Sequence, residues 1–179
     1  DRRIIMNNKA VNRIVLSALF AALAYVATSI IRIPTFTGYV NIGDTIVLLS
    51  AWLIGGVYGA LAAGIGSALA DLLASYTTYV PGTFIIKFLM ALVAFVIFKA
   101  IKKTNINSFV GYLLSGIVAE LIMVFGYFVY EAVALGQGLG AAPSIISNFG
   151  QAGTCLVLGL VVVEILETSK ATALIRRYI

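Results

Sequence analysis

Apolar side chains run almost unbroken from near residue 11 to near residue 167, and only short polar or proline-bearing breaks interrupt them. A membrane-crossing helix needs roughly 20 apolar residues. On that measure the pattern predicts six spans, at about 11–31, 42–57, 58–76, 83–101, 109–134 and 144–167. The second is short, and only "GGVYG" separates it from the third. The other breaks are "RIPTFTGYVN", "YTTYVPG", "KKTNINS" and "GQGLGAAP", and three of them hold Pro34, Pro81 and Pro143. Proline and glycine are the expected breakers at span ends. The pattern therefore predicts an all-α membrane protein in which residues 1–179 form a single domain, a bundle of six transmembrane helices.

Composition supports this reading. The chain is 61% hydrophobic and 11% charged, whereas a soluble domain carries about 25% charged residues. That leaves too little polar surface to coat a water-soluble globule. The first apolar segment is too long for a signal-peptide core, so no cleavable signal is expected. The stretch "DRRII" before Met6 is left unassigned.

Charge sets the expected orientation. The net charge of +5 could suggest nucleic acid. The positive residues sit at span ends, however, which fits a membrane protein with no nucleic-acid partner. With six spans both termini share one side. That side would carry Arg2, Arg3, Lys9, Arg13, Lys99, Lys102, Lys103, Lys170, Arg176 and Arg177, leaving only Arg32 and Lys87 elsewhere. Cytoplasmic loops carry the excess of Lys and Arg, so both termini are expected in the cytoplasm. The loops at 32–41, 77–82 and 135–143 then face outward.

The inventory of reactive groups is thin. Cys155 is the single cysteine, so no intrachain disulfide can form, and there is no histidine. A membrane enzyme would need a nucleophile–base pair or a metal cluster. Ser67 and Ser147 have no histidine to activate them. No enzymatic activity, catalytic residue or bound metal is expected.

The polar residues within the spans are the candidate chemistry. Asp44, Asp71, Lys87, Glu131, Asn148 and Gln151 all fall in the expected outer half of the membrane, with Glu120 deeper, near mid-span. A charge at such depth costs at least about 2.5–3.5 kcal/mol on insertion scales, so it pairs or faces a wet cavity. Asp71 and Lys87 lie at matching depth on consecutive helices and are expected to pair. Tyr39, Tyr76, Tyr79, Tyr127 and Tyr130 share that level. Interfacial tyrosines ordinarily form a belt. Together with the charges and amides they could also line a pocket for a small, flat, hydrogen-bonding molecule. The expected substrate-binding set is Asn41, Asp44, Asp71, Tyr79, Lys87, Tyr127, Glu131, Asn148 and Gln151. A small proton-coupled carrier or channel is the alternative. It predicts acids spread through the whole depth, and here they cluster outward.

Small residues mark helix contacts. Ala18 and Ala22 stand four apart on the first span, with Ser17 and Ala21 beside them. The third span carries two rows, Gly59–Ala63–Ser67 and Ala60–Gly64–Ala68. This spacing lets helix backbones approach closely in lipid. Internal packing is the reading for the third span, and an external partner for the first, because a terminal helix has a free side.

The stretch "YVNIGDTIVLLSAWLIGGVYGALAAGIGSALADLL", followed by "YVPGTFIIKFLMALVAF", resembles the substrate-binding S components of energy-coupling factor (ECF) vitamin transporters, and in particular the riboflavin-type S components. The resemblance covers about Lys9 to Glu167, and "NIGD…GALAAGIGSALADLL…P.TFIIK" is its most specific part. It implies a six-helix bundle that binds a water-soluble vitamin or precursor near the outer surface. It also implies a multi-pass subunit of the bacterial cell membrane that associates with a transmembrane coupling protein and two ABC-type ATPases. Ala18 and Ala22 match the family's docking motif for the coupling protein. ATP would be consumed on the partners, and this chain has no Walker motif and needs no cofactor of its own. The vitamins to consider are hydroxymethylpyrimidine, a pyridoxine-type ring, pantothenate and riboflavin. Lys87 suits a carboxylate such as pantothenate, whereas the acids and tyrosines suit a protonated or donor-rich ring.

Overall fold

The computed structural model describes residues 2–35 and 39–179, with side chains from Lys9 onward. Arg2 and Arg3, counted above in the positive cluster, and residues 36–38 of the first predicted loop lie outside the described side chains.

The chain folds into helices α1 (Arg2–Ile30), α2 (Gly43–Leu53), α3 (Gly56–Leu73), α4 (Val80–Ile101), α5 (Ser108–Val129), α6 (Ala142–Thr168) and α7 (Ala171–Tyr178). A two-residue β-ribbon, β1 (Ile33–Pro34) paired antiparallel with β2 (Tyr39–Val40), lies between α1 and α2. α5 runs on into one turn of π-helix, Tyr130–Ala134, and a 3₁₀ turn, Gly138–Ala141, leads into α6. Pro81 and Pro143 stand in the first turns of α4 and α6, where the missing N–H costs nothing.

Helices α1, α3, α4, α5 and α6 are long and apolar enough to cross a membrane. The second predicted span is a different object. At 11 residues α2 is about 16 Å long, half of a hydrocarbon core of about 30 Å. It ends at Gly55, whose φ of +70° is a left-handed conformation that favours glycine. Hydropathy extends this span to residue 57 because Ile54 and Val57 are apolar, but they belong to the turn and to the start of α3.

α2 is also the centre of the bundle. Ten of its residues are buried. The helices α1, α3, α4, α5 and α6 pack against one another in that order, and α2 sits inside them, touching all five. The buried apolar side chains form one continuous cluster around Leu48, Trp52, Met90, Met123 and Val163. Trp52 donates its indole N–H to Ser115 at 3.0 Å.

The C-terminal residues pack against the N-terminal half of α1 at one end of the bundle. Asn12 Nδ2 donates to the Tyr178 carbonyl at 3.0 Å, and Arg13 Nε donates to the Ile179 carbonyl at 2.9 Å. α7 was not expected. Thr172 and Arg176 fasten it to Glu167 and Tyr112.

The small-residue rows of α3 pack internally, as expected. The closest approach falls on a residue that those rows omit. A Cβ on Gly66 would stand 2.3 Å from the Ala21 carbonyl oxygen and 2.8 Å from the Ala24 Cβ. Gly66→Ala must therefore push α1 off α3, a cost of about 1–3 kcal/mol for overpacking. A Cβ on Gly153 would meet nothing within 4 Å, so Gly153→Ala should be neutral or gain helix propensity. Thermal unfolding in detergent checks the pair. Equal melting of the two variants would contradict the α1–α3 contact.

Candidate functional site

The site is at the end of the bundle opposite the termini. Its foundation is the first turn of α2. Asn41 Oδ1 accepts from the Gly43 N–H at 2.7 Å, covering one of the donors that a helix start leaves open. Asp44 follows in that first turn, where the helix dipole favours a negative charge. Asp44 is wholly buried and forms an ion pair with Lys87 of α4, itself buried. The second Asp44 oxygen accepts from Gln151 Nε2 of α6 at 2.5 Å. Gln151 Oε1 in turn accepts from the Asn41 N–H at 2.7 Å. One carboxylate thus ties α2, α4, α6 and the strand leading into α2.

This overturns the expected pairing. Lys87 is bonded to Asp44 rather than to Asp71. Matching depth is necessary for pairing, but the helix face decides, and Asp44 on the central helix faces α4. Asp71 instead accepts from the Tyr39 hydroxyl at 2.5 Å. Burial, and then the Asp71 carboxylate beside it, raise the Tyr39 phenol well above its ordinary range, so Tyr39 stays a donor. Lys87 also lies over the Tyr127 ring, 5.1 Å from its centroid, a cation–π contact. The Tyr127 and Thr83 hydroxyls are 2.9 Å apart.

Above this foundation a small cavity of about 40 Å³ is lined by Thr35, Tyr39, Asn41, Asp71, Tyr76, Tyr79, Thr83, Tyr127, Glu131, Asn148 and Gln151. Seven of the nine expected residues are on that wall. Asp44 and Lys87 are not. They lie beneath it, joined to it through Gln151. Thr35, Tyr76 and Thr83 complete the wall and were not among the expected site residues, nor was Tyr39, although it shares their level. Hydropathy could not single out a threonine, and Tyr76 read as part of the belt.

The wall has two further features. Tyr39, Tyr76, Tyr79 and Tyr130 form a ladder with successive centroid separations of 5.0, 6.2 and 6.3 Å. Edge-to-face and tilted pairs of this kind hold the rings in register. Glu131 sits in the π-helical turn, a feature frequent at functional sites. Glu131 Oε1 accepts from Tyr79 at 3.1 Å, while Oε2 has no hydrogen-bond partner. Glu120, near mid-span on α5, is buried with both oxygens lacking a hydrogen-bond partner. The cavity therefore offers two carboxylates, three amides, several hydroxyls and edge-to-face aromatic rings. Among the described residues no cation lines it. Such a wall can accept hydrogen bonds from, and stack against, a flat donor-rich molecule.

Removing one member of the buried pair strands the other. Lys87→Met should cost about 3–5 kcal/mol, and the double variant Asp44→Asn with Lys87→Met should recover part of that loss. Lys87→Met combined with Asp71→Asn should recover none. Melting curves of the three variants decide, and recovery through Asp71 alone would contradict the observed pairing.

The model of the ECF-type riboflavin transporter S component family matches residues 8–168. The chain is 32% identical over 136 residues to the "uncharacterized protein in gap 3'region" of Pyrococcus woesei, covering 75% of this chain and 87% of that one. It also resembles a solved structure reported as "Structure and mechanism of the S component of a bacterial ECF transporter", with a TM-score of 0.59, 21% identity, and coverage of 90% of this chain and 96% of that one. That likeness concerns the fold. A transporter component is a membrane protein rather than an enzyme class, in keeping with the five apolar spans. The match over nearly the whole chain places it: it belongs to the ECF-type riboflavin transporter S component family.

Proposed function

We propose that this chain is the substrate-specific subunit of an ECF-type importer of the bacterial cell membrane, and that it binds a donor-rich, single-ring heteroaromatic vitamin or precursor at its outer face. Hydroxymethylpyrimidine and pyridoxine-type rings are the leading candidates. The observation that carries this reading is the wall of the cavity: Asp71 and Glu131 face it, while Lys87 is spent on Asp44. A carboxylate substrate such as pantothenate would meet two carboxylates and, among the described lining residues, no cation. A ring bearing hydroxyl or amine donors meets acceptors on every side, with tyrosines to stack on. Cytoplasmic termini follow from the positive-inside rule and put this end outward.

Delivery then requires a partner. α1 and α3 leave an apolar groove of about 690 Å³ on the outside of the bundle, lined by Ala18, Ala21, Ala22, Tyr58, Leu61 and Ile65 among others. Ala18 and Ala22 are exposed there, so they do not pack the bundle interior. This supports docking of the transmembrane coupling protein on α1, with ATP hydrolysed by two ABC ATPase subunits of the complex. Lipid gives no hydrophobic drive for helix association, so close backbone approach must supply much of the attraction.

Two experiments test these readings. Mass spectrometry of the purified protein should identify a co-purifying ring vitamin. In titration calorimetry Asp71→Asn and Glu131→Gln should each weaken it at least about tenfold, the scale of a lost charge-assisted hydrogen bond. Tight pantothenate binding, or unchanged affinity in both variants, would reject the assignment. For docking, Ala18→Trp with Ala22→Trp should abolish uptake in vesicles holding the full complex while the isolated protein binds its vitamin normally. Normal uptake, or lost binding in isolation, would reject it.

A further inference from the structure

The half-length α2 leaves space beneath it. Below the α2–α3 turn, at the end of the bundle that carries the termini, lies a crevice of about 690 Å³. Its apolar lining includes Trp52, Ile54, Phe95 and Phe98. Its lining also includes five cations, Lys9, Arg13, Lys99, Lys102 and Arg176, with no acidic side chain among the lining residues.

Two of these cations are occupied. Arg13 holds the Ile179 carbonyl, and Arg176 bonds Tyr112 and lies 3.4 Å from Glu167. The lysines differ. Among the described residues Lys9, Lys99 and Lys102 make no ion pair. Lys99 and Lys102 lie over the Phe95 and Phe98 rings at 5.4 and 5.8 Å. Burial, and then the positive field of Arg176, push Lys102 below the ordinary lysine range. Three ammonium groups without an ion pair among the described residues, beside an apolar slot, attract an anion that brings its own apolar tail.

We infer that this crevice is a binding site for an acidic phospholipid of the cytoplasmic leaflet, with one acyl chain under the α2–α3 turn and the phosphate between Lys9, Lys99 and Lys102. The geometry matches a lipid rather than a free phosphate. In the cytoplasmic leaflet the acyl chain points toward mid-membrane, which is where the apolar wall lies, and the headgroup stays at the level of the span ends, where the lysines lie. The lipid would fill the half-span that α2 does not reach. The inference is independent of which vitamin occupies the other end, and it rests on the cytoplasmic placement of the termini.

The test uses the full chain in vesicles of phosphatidylcholine and phosphatidylglycerol at 3:1, extracted in mild detergent and analysed by native mass spectrometry. Wild type should retain phosphatidylglycerol in preference to phosphatidylcholine. The variant Lys9→Gln, Lys99→Gln, Lys102→Gln should lose at least tenfold of that retention, while Lys103→Gln with Lys170→Gln, outside the crevice, should keep it. Vitamin binding by the triple variant reports its folding. Equal retention of phosphatidylcholine, full retention by a folded triple variant, or displacement by millimolar inorganic phosphate would each overturn the lipid assignment. A triple variant that fails to bind vitamin is replaced by the three single variants, which should each lose part of the retention, and no loss in any of them overturns it. Ser169→Cys should resist a membrane-impermeant maleimide in intact cells, and labelling from outside would overturn the leaflet assignment.

Discussion

The structure depends on one buried charge being answered. Asp44 at the head of α2 cannot remain alone in a low-dielectric core, and its partners come from two other helices. Lys87 fixes α4 against it and Gln151 fixes α6. Gln151 also holds the Asn41 backbone, so the segment entering α2 is set by the same carboxylate. A buried pair of this kind adds little net stability compared with apolar packing, but breaking it is costly. Its value here is positional. It sets the angle and depth at which α2 enters the bundle, and so the floor on which the outer cavity stands.

The short central helix has consequences at both ends. Toward the cavity end, α2 stops low enough for residues of β2, α3, α4, α5, α6 and the π-helical turn to converge above it. Toward the other end, it stops short of the span ends of its neighbours and leaves an apolar crevice. The glycine turn makes this possible. Gly55 carries a positive φ, and a Cβ on Gly59 would stand 2.5 Å from the Ser50 carbonyl oxygen, so α3 reverses tightly against α2. The Ser50 hydroxyl spans the turn to the Gly59 carbonyl at 3.1 Å.

Much of this was legible in the sequence, and what was missed has a common cause. Hydropathy and charge report depth along the membrane normal. They placed the long helices, the breakers Pro81 and Pro143, and most of the cavity wall at the right level. They do not report which way a side chain faces around its helix. Asp44 and Asp71 have similar depth, so depth alone paired Lys87 with the wrong one. The centrality of α2 was hidden for the same reason, because a short apolar run reads alike on a rim or in the middle. Gly66 escaped the small-residue rows because its contact is with the Ala21 backbone of α1, which only the packed structure reveals. α7 was missed because its eight residues are too short to register as a span, whereas Arg176 and Thr172 bind it to α5 and α6.

The central claim is that an acceptor-rich, tyrosine-walled cavity recognises its substrate without using the buried Lys87. An experimental structure of the protein with its co-purified vitamin tests this most directly. The account predicts a ring among Tyr39, Tyr76 and Tyr79, with donors directed at Asp71 and Glu131 and Lys87 still on Asp44. A substrate carboxylate bound to Lys87, or ligand density outside this cavity, would contradict it.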